Sequence, residues 1–156
     1  MKKEITRGEL YDIFGACAST ATAMVNNKQK GNGSFLNFLF NNRDRALPIL
    51  KEFEKERPVA NEKLHEFSKK EQEIMATLRK PVVAGEEAAP VDNSALDALR
   101  LEYKEEIENW DKSVAEFEKK LETKLTFDAV TLKEENLPSE IAADVMGVIY
   151  KLVIIK

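Results

Sequence analysis

The sequence predicts a mainly α-helical chain built around a long, coiled-coil-like antiparallel helical hairpin, with an N-terminal helix packed at its base and a small C-terminal helix or β element. Three observations carry that prediction. Apolar residues recur at alternating steps of three and four through two long stretches. Charged residues make up 33%, above the ~25% of an average domain and usual for long solvated helices. Few β-branched runs occur before the last thirty residues. At 156 residues the chain can bury one core, so a single domain spanning 1–156 is expected.

The first helix is expected over 6–26. Thr6-Arg7-Gly8-Glu9 has the capping-box pattern, in which the Thr hydroxyl and the Glu carboxylate each satisfy an orphan backbone N–H. Leu10, Ile13, Phe14, Cys17 and Met24 follow at helical spacing, and Asn26 to Gly33 reads as an exposed loop. Ser34 can cap a long helix over 34–80, kinked near Pro48 or Pro58. Its seam runs through Leu50, Phe53, Arg57, Ala60, Leu64, Phe67, Glu71, Ile74 and Leu78. Residues 81–93, rich in Ala, Pro, Val and Glu, read as a flexible connector.

A second long helix is expected over 94–124, carrying Leu96, Leu99, Tyr103, Ile107, Trp110, Val114, Phe117 and Leu121. Two amphipathic helices joined by a short connector fold back on each other, since each then buries the nearest apolar stripe. The expected hairpin core is Phe53, Leu64, Phe67, Tyr103, Ile107, Trp110, Val114, Phe117 and Leu121. A connector midpoint near Glu87 places Phe67 by Ile107, Leu64 by Trp110 and Phe53 by Leu121. The remainder, 125–156, is expected to hold a short strand near Leu125–Leu132 and a terminal helix, with Leu152-Val153-Ile154-Ile155 β-prone.

Composition narrows the function classes. No apolar run approaches a membrane span, and Met1-Lys2-Lys3-Glu4 leads into a helix signal without an apolar signal core, so a cytoplasmic protein is expected. The single cysteine, Cys17, forms no internal disulfide, and its apolar surroundings read as a buried structural thiol. Net charge is −4, divided as +4 over residues 1–80 and −8 over 81–156, which argues against a concentrated nucleic-acid-binding face.

Catalytic and metal motifs are sparse. Glu62-x-x-His65 has the spacing of the Glu/His pair in di-iron helical bundles, but such sites need a second copy and His65 is the only histidine. No metal or other cofactor is expected. Gly31-Asn32-Gly33 lacks the strand and lysine of a phosphate loop. The acidic group Glu102, Glu105, Glu106, Glu108 and Asp111, interrupted by Lys104 and Lys112, reads as a solvated helix face.

The segment Phe35, Leu36, Phe38, Leu39 and Phe40 is the exception to this ordinary patterning. These side chains spread over roughly 200° of a helix, about twice the stripe that one packed face needs. They are either covered by the first helix together with Val148, Ile149, Leu152 and Ile154, or they form a partner or self-association surface.

From about Leu39 onward, the layout resembles small proteins of unknown function encoded by tailed bacteriophages. The resemblance rests on Arg45-Ala46-Leu47-Pro48-Ile49-Leu50-Lys51-Glu52-Phe53-Glu54-Lys55-Glu56-Arg57, a variable connector, Leu121-Glu122-Thr123-Lys124-Leu125-Thr126-Phe127 and an apolar terminal helix. It covers about two thirds of the chain by pattern, and the connector here is longer than the pattern's. It implies a phage or prophage origin and supplies no catalytic residues. The function expected is non-enzymatic: protein–protein interaction or assembly, as a phage structural or assembly component. The alternative is a small phage-encoded inhibitor of a host enzyme or defence system. The expected partner is a protein or a second copy, not nucleic acid or membrane.

Overall fold

The computed structural model describes residues 1–26, 33–78, 92–138, 141 and 143–154. The loop expected after Asn26 and the connector expected over 81–93 fall largely outside the described residues. The fold is mainly α-helical: β1 (Lys2–Thr6), α1 (Arg7–Asn26), α2 (Gly33–Glu54), α3 (Glu62–Leu78), α4 (Ser94–Glu102), α5 (Lys104–Leu121), β2 (Lys124–Asp128), β3 (Leu132–Lys133), α6 (Ala143–Ile149) and β4 (Val153–Ile154). The sequence reading kept the chain as one domain, whereas its internal contacts group it into two compact units, Met1–Arg57 with Glu118–Lys156, and Pro58–Phe117.

In the larger unit, the capping box forms as the sequence suggests. The Thr6 N–H donates to Glu9 Oε2 at 2.9 Å and the Glu9 N–H donates to Thr6 Oγ1 at 3.1 Å. Helix α1 then buries Leu10, Ile13, Cys17, Ala21 and Met24, a single stripe at steps of three and four, against α2. Helix α2 buries Phe35, Phe38, Leu39, Asn42, Ala46 and Leu50. Pro48 stays inside this helix without ending it. It is exposed, as is Asp44 one turn before it, so the carbonyl that loses its N–H partner faces water.

The expected continuous helix over 34–80 is interrupted. α2 ends at Glu54 and α3 begins at Glu62, with Pro58 between them. The residue before a proline is driven out of the helical region, and Asn61 restarts the helix by accepting the Leu64 N–H at 2.9 Å on its side-chain oxygen. Arg57, read as a seam position, instead pairs with Glu54 at 2.8 Å outside any helix.

β1 was not expected. It pairs antiparallel with β2, running from Lys2 opposite Asp128 to Thr6 opposite Lys124, and both strands alternate so that Ile5 and Phe127 point into the core. β3 and β4 add a two-residue parallel pair. Ile149 and Leu152 complete the core of this unit beside α1 and α2.

In the smaller unit, α3 lies antiparallel to α4 and α5: Glu71 pairs with Arg100, Lys70 with Glu102 and Lys63 with Glu106, so numbers fall on one side as they rise on the other. The expected helix over 94–124 is broken at Tyr103, although the Tyr103 and Ile107 N–H groups still reach back four residues to Leu99 and Tyr103. Phe67 packs on Tyr103, ring centroids 5.7 Å apart, about one turn away from the expected Ile107 alignment. Register follows Leu96, Leu99 and Tyr103, the buried positions among the described residues of this unit, rather than the centre of the connector.

Candidate interaction surface

The segment that sequence patterning marked as a possible surface is core. Phe35 is 0% exposed, Phe38 2% and Leu39 0%, while Leu36 and Phe40 are half-buried against the same cluster. Phe35 and Phe38 stack at 6.0 Å, and Arg43 caps Phe40 with its guanidinium 4.8 Å from the ring centroid. The wide apolar arc is covered mainly by α1, with β3 also against α2, and Ile149 and Leu152 belong to the same core cluster. Phe35–Phe40 is therefore part of the core and not the interaction surface its patterning allows.

Asn42 is a polar residue inside that core, and the sequence carried no signal for it. It is 0% exposed. Its Nδ2 donates to the Phe38 carbonyl at 3.1 Å and the Val130 carbonyl at 2.9 Å, while its Oδ1 accepts the Val130 N–H at 2.9 Å. The side-chain amide thus pairs with both backbone groups of Val130 as a neighbouring strand would, and fixes the chain after β2 against α2.

The residues expected to form one hairpin core divide between the units. Phe53 and Leu121 belong to the larger one, where Arg7 lies 4.0 Å over the Phe53 ring. Leu64, Phe67, Tyr103, Ile107, Trp110, Val114 and Phe117 belong to the smaller. Of these only Tyr103 is buried; the other six are half-buried, and neither α3 nor α5 holds a fully buried residue. Two helices can cover each other's stripe only along one line, so its flanks stay wet.

Both flanks form grooves. One, of about 370 Å³, is lined by Val59, Leu64 and Trp110 with Asn61, Asn109 and Ser113, and is bridged by Lys63 and Glu106 at 2.5 Å. That bond raises the Lys63 pKa and lowers that of Glu106. The other, about 400 Å³, has Phe67 and Ile107 as its floor and Glu71, Arg100, Lys104 and Glu108 as its rim. In the same unit, Lys70 donates to the Tyr103 hydroxyl at 2.9 Å and pairs with Glu66 at 3.0 Å, which raises its pKa.

Trp110 is therefore half-buried rather than sealed in the seam. Trp110→Ala should cost about 1–3 kcal/mol, below the ~3–5 kcal/mol of a full core truncation. Native emission should lie between the buried and solvated extremes, which a fluorescence spectrum checks directly.

The remaining sequence candidates are a buried thiol and solvated charged groups. Cys17 is fully buried, and desolvation pushes its thiol up to about 12, away from any nucleophilic thiolate. Glu62 and His65 are both exposed, and no group of three potential metal ligands occurs among the described residues. Excess chelator should leave the melting temperature unchanged; a drop of several degrees would reveal a structural metal. In the acidic group, Glu102, Glu106 and Glu108 pair with Lys70, Lys63 and Lys104, as a solvated helix face does. No helix among the described residues is long and apolar enough to cross a membrane.

No protein-family model matches this sequence, and neither the curated proteins nor the solved structures contain a match.

Proposed function

We propose that this chain is a non-catalytic protein that acts by associating with protein, and that its Pro58–Phe117 unit carries the binding face. The observation that supports this most is the half-open seam: Leu64, Phe67, Ile107, Trp110, Val114 and Phe117 repeat at bundle spacing, yet all remain partly wet. Covering such a stripe with further helix yields about 25 cal/mol for each Å² of apolar surface removed from water. Aromatic anchors in half-formed pockets, here Trp110 and Phe67, are the residue types that dominate interface energies. Nucleic acid is a poor fit, because the unit holds 14 acidic and 8 basic residues.

The narrower proposal, an assembly component of the kind tailed bacteriophages encode, rests on the layout of residues 45–57 and 121–127. Chemical cross-linking of the full chain in the cells that express it tests the association reading. A discrete higher-mass species is expected, and the Ile107→Asp variant should fail to form it while α1 and α2 keep their circular dichroism. Recovery of the native chain only as free monomer, with no cross-linked species, would overturn this reading.

A further inference from the structure

We infer that the groove beside Trp110 receives a basic segment of the protein partner, with an arginine against the indole and its guanidinium held by Glu105 and Glu106; the inference rests on the association reading above. Charge complementarity carries it. The ionisable groups that line this groove are two carboxylates, Glu105 and Glu106, against one cation, Lys63. Glu105 has no ion pair among the described residues. Asn109, Ser113 and Glu116 follow Glu105 at steps of four, four and three, so this side of α5 continues with acidic or neutral side chains. Lys112 stands at its margin, one turn before Glu116, and Lys104 rims the other groove.

Lys63 already shows a cation being met here. Its Nζ lies 2.5 Å from Glu106, whose side chain is only 17% exposed, while the lysine itself is 68% exposed. A lysine so solvated is held by a surface pair and can be displaced. A guanidinium adds what an ammonium lacks, because it is planar, stacks on an indole and offers two N–H groups to a carboxylate at once. Val59, 87% exposed, gives the arginine's methylene stem an apolar wall. An acidic partner segment would set like charges against Glu105 and Glu106.

Trp110 is the single tryptophan of the chain, so its emission reports on this groove alone. The test titrates the full chain, at physiological salt, with an acetylated and amidated tetra-arginine peptide. A saturable change in emission is expected. The same peptide with citrulline for arginine keeps the shape but not the charge, and it should bind about tenfold more weakly or less still. Glu105→Lys with Glu106→Lys should weaken binding of the arginine peptide by about tenfold or more, as charge reversal at a contact does. Asp97→Lys with Asp111→Lys makes the same change in net charge at exposed positions outside this groove, where salt screens it, and should leave binding within about threefold.

Glu105, Asp97 and Asp111 are exposed, so native circular dichroism is expected; if the Glu106 change disturbs folding, Glu105→Lys alone asks the same question. Absence of a saturable change overturns the inference, and so does equal binding of the citrulline peptide or an equal loss in both double variants. Spermine, a free polyamine without a guanidinium, should bind more weakly than the peptide; binding as tight assigns the groove to polyamines and overturns a protein segment as its occupant. If the inference fails while the native chain still gives a cross-linked complex in cells that Ile107→Asp abolishes, the association reading stands without it.

Discussion

Phe38→Asp is expected to unfold the larger unit, whereas Phe40→Asp, two residues on, should leave it folded. Phe38 is 2% exposed between α1 and the rest of the core cluster. Truncating a buried phenylalanine costs about 3–5 kcal/mol, and an unpaired carboxylate in that site adds several more. The total falls within the ~5–15 kcal/mol that holds a typical domain together, enough to unfold one of ordinary stability. Phe40 is half-buried under Arg43, so its replacement loses a cation–π contact but places a carboxylate near a guanidinium and water. A cost of about 1–2 kcal/mol follows from the partial burial. Urea melts of both variants separate the cases; native-like stability of Phe38→Asp would contradict its place in the core.

Asn42 should be the most demanding polar position. Asn42→Ala leaves the partly buried Val130 N–H and carbonyl without their side-chain partners; a fully buried orphan costs about 1–3 kcal/mol and a partly wet one less, so a loss of about 2–4 kcal/mol is expected for the two. Asn42→Asp gives a pH test. Protonated, that side chain reproduces one acceptor and one donor; ionised, it turns an oxygen toward the Val130 carbonyl. Its folded-state pKa is then raised above the unfolded ~3.9, so its stabilising contribution is present below about pH 4 and lost as pH rises through the folded value. Thermal melts from acid to neutral pH should show Asn42→Asp falling away from the native chain as pH increases. A constant difference would contradict the two-sided pairing with Val130.

Local chemistry was legible in the sequence and long-range coverage was not. Thr6 and Glu9 announce the start of α1 because both halves of the box lie within four residues. The stripes of α1, α3 and α5 follow from spacing alone. β1 escaped notice because Ile5 is its only buried residue and its partner strand lies some 120 residues away, at Lys124–Asp128. The break between α2 and α3 was seen only as a kink, since the heptad pattern continues through Arg57 although the backbone does not.

One physical reason separates both the Phe35–Phe40 segment and the α3/α5 stripe from the roles their spacing predicts. Periodicity reveals which face of a helix is apolar, but not how many neighbours arrive to cover it. α2 receives layers enough to bury three of its five apolar side chains there, and α5 receives too few to bury any. The consequence reverses the expected roles, making the phenylalanine-rich segment structural and moving the candidate surface to Phe67 and Ile107.

A closed core in α1 and α2 and a half-open face on α3 and α5 coexist in one chain. Hydrogen–deuterium exchange of the full chain, read peptide by peptide in dilute solution, tests it most directly. Amides of α1 and α2 should exchange only through global unfolding of their unit, whereas those of α3 and of α5 before Glu118 should exchange orders of magnitude faster. Equal protection in α1, α2, α3 and α5 would contradict it.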